Sequence, residues 1–284
     1  MSKKISPSEL ILNDRGAIYH LDLRPEEIGD YIITVGDPQR VKKVSQYFDN
    51  VLIKKKKREF KTHTGLLNGK KISVISTGIG TDNIDIVLNE LDALVNIDLE
   101  TRKVKKEKKS LKFIRIGTSG ALQNNIDVDS FVVNTASIGI DGLGCFYGKH
   151  SKKLNQAIPS RLLDLYSAKA DKNLLDTIGH RMMKGVAITA GGFYAPQGRS
   201  LRFPINHDKF LSELKAHKID GIPVTNMEME TAGIYLLSNL LGHQAISCNA
   251  ILANRIAGKF SKYPSETVDK LIRTVIQEIR FSED

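Results

Sequence analysis

Four times along this chain a run of β-branched and aliphatic residues stops at a glycine. Tyr31-Ile32-Ile33-Thr34-Val35 ends at Gly36, Ile72-Ser73-Val74-Ile75-Ser76-Thr77 at Gly78, Leu111 to Ile116 at Gly117, and Val186 to Ala190 at Gly191. Runs of this length and composition read as buried strands. After Gly36, Asp37 can cap a helix with Pro38 in its first turn and Val41, Val44 and Phe48 on one face. After Gly78-Ile79-Gly80, residues Ile84, Val87, Leu88, Leu91, Leu94 and Val95 form an apolar helical stripe. Repeated strand-turn-helix units predict an α/β fold in three layers, helices flanking a central sheet. Further strands are expected over Phe131 to Ser137 and Ala245 to Ala253, a helix from Glu230 to Leu241, and a last helix carrying Val268, Leu271, Ile272, Val275, Ile276 and Ile279.

No Pro/Gly/Ser-rich stretch divides the 284 residues, so 1–284 is expected to form one domain. Within it, 1–18 reads as an N-terminal extension and about 99–110 as a basic surface insertion. Cys145 and Cys248 lie far apart without metal or redox spacing, so neither a disulfide framework nor a metal site is expected. A reducing, cytoplasmic setting fits. Between Met1 and Asn13 the apolar patch Leu10 to Leu12 is too short for a signal peptide. No apolar run reaches the ~18 residues of a membrane span.

The net charge of +10 raises the question of nucleic acid. Much of the excess sits in Lys54-Lys55-Lys56-Lys57-Arg58 and in the stretch from Arg102 to Lys109. Neither run is interleaved with base-stacking aromatics, and the chain has no tryptophan. Both are read as solvated loops whose field helps gather phosphate and other small anions.

In open α/β sheets ligands collect beyond the carboxyl ends of the strands, so the glycine-ended runs predict a shared cleft. Arg115 interrupts an apolar strand beside Gly117, Thr118 and Ser119; it marks either an anion site or the exposed face of an edge strand. Arg40, four residues past Gly36, can lean back over a helix N-terminus or simply be solvated. Met227-Glu228-Met229-Glu230 is expected to open a helix. One of its carboxylates can accept from both ribose hydroxyls while Met229 packs on the sugar, or the pair can serve the helix dipole. Gln197 and Arg199 offer the acceptor and donors that match uracil, or form an ordinary polar loop after Pro196. A purine is helped to leave by an acid at N7, whereas departing uracil is an anion that cations stabilise.

This set resembles the uridine phosphorylases of nucleoside phosphorylase family I from about His20 to the last helix. The signatures are Val35-Gly36-Asp37-Pro38-Gln39-Arg40, Arg58-Glu59-Phe60, Ser76-Thr77-Gly78-Ile79-Gly80, the run from Arg115 to Gln123, Phe193-Tyr194 with Gln197 and Arg199, Glu228-Met229-Glu230 and Asn254-Arg255. The resemblance implies a twisted mixed sheet, partly closed as a barrel. It implies phosphate binding by Gly36, Arg40, Arg115 and Thr118, with Arg58 supplied by a neighbouring subunit. It also implies His20 at the ribose 5′-hydroxyl across that interface, Phe193 stacked near the base, Gln197 and Arg199 on uracil, and Glu230, Met229 and Glu228 around the ribose. Arg255 stands where purine-cleaving relatives carry an aspartate.

The implied reaction is reversible phosphorolysis of uridine, with inorganic phosphate as co-substrate, no cofactor, and a homo-oligomer, a hexamer built from dimers, sharing active sites. Arg115, Arg199 and Gln197 would carry catalysis. A purine nucleoside phosphorylase, a phosphate-independent nucleoside hydrolase and a non-catalytic nucleotide or RNA binder are the alternatives. Two departures stand out. Thr81-Asp82-Asn83 replaces the Gly-Pro-Ser of relatives, some of which bind potassium near this turn. Gly198 replaces a bulkier residue, which would loosen the base-reading loop.

Overall fold

Strand Tyr31–Val35 is buried along its whole length, running parallel to Lys70–Ser76 on one side and Lys112–Ala121 on the other. Burial on both faces accounts for its largely apolar sequence, in which Thr34 is the one small polar residue. Beyond Gly36 the Asp37 side chain accepts from Gln39 N–H at 2.8 Å, and Pro38 opens the helix Pro38–Ser45. The computed structural model describes residues 4–282, so the first three residues of the expected extension lie outside it. Among the described residues, twelve strands join in one mixed sheet. Five of them, Lys112–Ala121, Gln244–Asn254, Phe131–Ile140, Met183–Ala190 and Ile222–Glu228, close into a barrel. Closure comes from the antiparallel pairs Asn226 with Ala121 and Met227 with Gly120.

Helices cover the sheet on both sides. Thr81–Asn96 and Thr231–Leu241 pack one face through Ile84, Leu88, Ala232 and Tyr235. Pro38–Ser45 and Pro264–Phe281 pack the other through Val41, Val44, Leu271 and Val275. The expected three-layer α/β architecture with its mixed, barrel-forming sheet is what the chain adopts.

Four local expectations are corrected. The strand entered at Leu111 does not stop at Gly117 but continues to Ala121, because Gly117 is an inward position of the barrel wall rather than a turn. Met227 and Glu228 do not open a helix; they end a strand, and Glu230 is the N-cap of Thr231–Leu241. Register explains this, since Met227 is needed to close the barrel against Gly120. The lysine run is not a loop. It lies in the strand Asn50–Lys57, which pairs with Phe60–Leu67, and Arg58 takes the turn at φ 53°. Lys54 and Lys56 face water while Lys55 and Lys57 fold their stems inward, Lys57 Nζ standing 4.2 Å over the Tyr19 ring.

The basic insertion is more than a solvated run. Ile97–Asp98 and Lys103–Val104 pair as a small ladder between helix and strand. From it the Arg102 guanidinium donates to the carbonyls of Ile5 at 3.1 Å, Ser6 at 3.2 Å and Leu10, tying the N-terminal segment down.

Candidate active site

A cleft of about 1010 Å³ opens at the carboxyl ends of the strands. It gathers residues that are far apart in sequence: Gly36 and Arg40, Gly78, Arg115 with Gly117 and Thr118, Phe193 with Gln197 and Arg199, Glu228 through Glu230, and Arg255. Gly191 is not among them; it borders a separate apolar cavity of about 480 Å³. All but two of the residues read from sequence as site residues therefore meet in one place. Their convergence follows from barrel closure, which brings the ends of strands 112–121, 222–228 and 244–254 together.

Arg115 is buried in the barrel mouth. Its Nη2 lies 2.5 Å from Glu230 Oε2 and 3.1 Å from Glu228 Oε2, and Nη1 donates to Asn249 Oδ1 at 2.8 Å. Burial opposes its charge, but the two carboxylates outweigh that and raise its pKa. Burial lifts the Glu230 carboxyl above its ordinary value, against the pull of Arg115. Glu230 Oε1 accepts from Gly80 N–H at 2.9 Å, so the second glycine turn holds the same carboxylate.

Glu228 is saturated by its surroundings. Its oxygens accept from Thr189 Oγ1 at 2.5 Å, Glu230 N–H at 2.9 Å and Thr231 N–H at 2.9 Å, as well as facing Arg115. That satisfies the first N–H groups of the following helix, so Glu228 caps it. Arg40 donates from Nη1 to Ile116 O at 3.2 Å; burial and then the Arg115 charge hold its pKa below the ordinary value. Two cations held close in a partly dry cleft favour an anion between them.

Gln197 and Arg199 are already joined within the loop. Arg199 Nη1 donates to Gln197 Oε1 at 2.5 Å and to Phe193 O at 2.8 Å, and its Cζ lies 3.9 Å above the Phe193 ring. Burial, with Arg255 nearby, lowers the Arg199 pKa to about 10, leaving it charged at neutral pH. Arg255 donates to the Gln197 carbonyl and, at 3.2 Å, to that of Gly198. The loop is not loosened by Gly198, as the sequence suggested. Gly198 sits at φ 73°, and a Cβ there would stand 2.3 Å from Leu211 Cδ1, so glycine allows a close contact rather than slack.

His20 and Arg58 do not reach the cleft of their own chain. The His20 Nδ1 lies 2.6 Å from Glu90 Oε1, and Arg58 is exposed at its turn. Glu59, next to Arg58, does line the cleft, as do Asn83, Met227, Asn254, Lys259 and Phe260. Glu59, Asn83, Met227 and Asn254 belong to segments quoted above; Lys259 and Phe260 carried no signal, because only the fold brings them to the rim. At the Thr81-Asp82-Asn83 turn the Asn83 side-chain amide faces the Ile79 carbonyl at 3.5 Å. Among the described residues no cluster of three or more His, Cys, Asp or Glu is placed to bind a metal, and no helix is long and apolar enough to cross a membrane.

The chain is similar to known proteins along most of its length. The family model for the phosphorylase superfamily matches residues 30–278. A uridine phosphorylase of Thermococcus kodakarensis is 31% identical over 265 residues, 92% of this chain and 86% of that protein. A DeoD-type purine nucleoside phosphorylase of Buchnera aphidicola is 29% identical over 231 residues, 80% of this chain and 82% of its own. The crystal structure of a Trypanosoma brucei nucleoside phosphorylase with uridine phosphorylase activity matches with a TM-score of 0.85 at 29% identity, covering 95% of this chain and 98% of that one. The chain belongs to the phosphorylase superfamily. Within it the protein is a nucleoside phosphorylase, a transferase of the pentosyl class.

Proposed function

We propose that the enzyme catalyses reversible phosphorolysis of uridine to uracil and ribose 1-phosphate, in a cytoplasmic pathway of pyrimidine salvage. One observation carries the choice of base. The pair Gln197 and Arg199, backed by Phe193 and Arg255, supplies an amide and cations at that part of the cleft, and among the described residues no carboxylate that could protonate a purine N7 pairs with Arg199 or Arg255. The uridine phosphorylase relatives support the same reading.

In this mechanism phosphate rests on Gly36 N–H, Arg40, Arg115 and the Thr118 hydroxyl and attacks C1′ as the glycosidic bond lengthens. Met229 packs on the ribose and Glu230 accepts from its hydroxyls, while Glu228 works mainly as the cap that holds Glu230 in place. The departing uracil is an anion, met by Arg199 and the Gln197 amide. Orientation and fixed dipoles do the work, so no redox cofactor or covalent intermediate is needed. Arg58 and His20 enter from a neighbouring subunit, which makes the working form a dimer-based assembly such as a hexamer.

Uridine incubated with and without phosphate, followed by the ultraviolet change as uracil appears, tests this reading, with inosine, deoxyuridine and thymidine in parallel. Phosphate-dependent release of uracil is expected. Release that ignores phosphate would indicate a hydrolase, and preference for inosine a purine enzyme.

A further inference from the structure

The barrel interior holds three asparagines with no solvent exposure, Asn134, Asn226 and Asn249. They come from three different strands and link Arg115 to Ser119, two residues of a fourth. Arg115 Nη1 donates to Asn249 Oδ1 at 2.8 Å, Asn249 Nδ2 to Asn134 Oδ1 at 2.8 Å, Asn134 Nδ2 to Asn226 Oδ1 at 2.8 Å, and Asn226 Nδ2 to Ser119 Oγ at 3.0 Å.

The sense of this chain is forced. A guanidinium has donors only, so Asn249 must present its oxygen to Arg115, which turns its nitrogen toward Asn134, and the same logic passes to Asn226. The Thr225 hydroxyl donates to that same Asn226 oxygen at 2.7 Å, which agrees. At the far end an amide nitrogen cannot accept, so the Ser119 oxygen must. Its own hydrogen then has no acceptor among the described residues, and Ser119 borders the cleft. Buried donors are rarely left without a partner.

We propose that Ser119 donates to the bound phosphate, and that Asn249, Asn134 and Asn226 are positioning residues that aim this hydroxyl and Arg115 at one oxyanion. Both ends of a single directed chain thus serve the same ligand, and each amide polarises the next. The inference rests on the phosphorylase reading above and adds a binding residue and its support.

Steady-state kinetics of Ser119→Ala, with phosphate and uridine varied separately, test it. The phosphate KM is expected to rise about tenfold, the loss of one hydrogen bond to a charged group, with the uridine KM within about twofold; Ser119→Thr should restore the wild-type value. Asn226→Asp puts an acceptor where the donor stood, so the serine hydrogen turns back to it. It should raise the phosphate KM to the same degree, and adding Ser119→Ala should raise it no further. Additive losses, or a fall in kcat at unchanged phosphate KM, would overturn the chain. If Asn226→Asp fails to fold, Ser119→Ala decides alone, and an unchanged phosphate KM defeats the proposal. Calorimetric titration with inorganic phosphate separates the two readings. Equal binding by wild type and Ser119→Ala sinks this inference while leaving phosphorolysis standing, whereas base release by wild type without phosphate sinks the functional reading.

Discussion

The Arg115 guanidinium fills the space where a side chain at residue 117 would begin. A Cβ on Gly117 would stand 1.8 Å from Arg115 Nη1 and 2.4 Å from its Cζ. The two residues lie two apart on one strand and so face the same way, into the barrel. The glycine exists here to let an arginine fold along its own strand.

Gly117→Ala should therefore drive the guanidinium away from Asn249 and Glu230 and lower kcat/KM for phosphorolysis by about a hundredfold, the usual cost of losing one preorganised donor. Steady-state assays check this. Near-normal turnover would mean that Arg115 works from some other position.

Arg115→Ala should cost stability as well as activity. It leaves Glu228 and Glu230 buried without their cation, a loss of about 3–5 kcal/mol when one partner of a buried pair is removed. Arg115→Ala combined with Glu230→Gln should regain part of that stability and none of the activity. Urea unfolding of both variants measures the first claim and phosphate-dependent uracil release the second.

Gly198→Ala is expected to destabilise the loop carrying Gln197 and Arg199 by about 1–3 kcal/mol through its left-handed backbone and its contact with Leu211. The nucleoside KM should rise with the phosphate KM unchanged. Leu211→Ala in the same chain should relieve the clash and bring the nucleoside KM part of the way back, with no gain in stability, because truncating that buried leucine leaves a cavity.

His63 gives the fold a pH dependence away from the cleft. It is buried against Ser45, whose Oγ lies 2.7 Å from Nδ1, and burial, followed by Lys61 and Lys54, lowers its pKa from 6.5 to about 4. The unfolded chain takes up a proton near pH 6.5 that the folded chain refuses. Its contribution is thus fully present above that pH and lost as the pH falls toward 4. Urea midpoints at pH 7.5 and 5 should differ less in His63→Gln than in wild type; equal slopes would remove His63 from the account.

Much of this was legible in the sequence. Val35-Gly36-Asp37-Pro38 announced strand, turn, cap and helix, because each step there is local chemistry. What stayed hidden depends on partners distant in the chain. Nothing in Lys54 to Lys57 indicates that Phe60–Leu67 will pair with it and make it a strand. Gly117 reads as a turn until Arg115 is seen lying over it. Asn134, Asn226 and Asn249 break the apolar alternation by which a barrel wall would be recognised, and their use appears only when three strands meet. Likewise the site arginines and the Gln197 pair were visible as motifs, while the mutual neutralisation of Arg115 by Glu228 and Glu230 was not.

The lysine-bearing strand ends the sheet on its side, and among the described residues no further strand pairs with its outer backbone groups. An incoming strand from another copy would have to lay its own ammonium row against this one, in register or nearly so. Such a margin repels stacking by self-association, the route by which open sheets seed fibres. Part of the chain's excess positive charge thus disfavours edge-to-edge pairing of this strand with the same strand of another copy, a duty separate from any attraction it exerts on substrate.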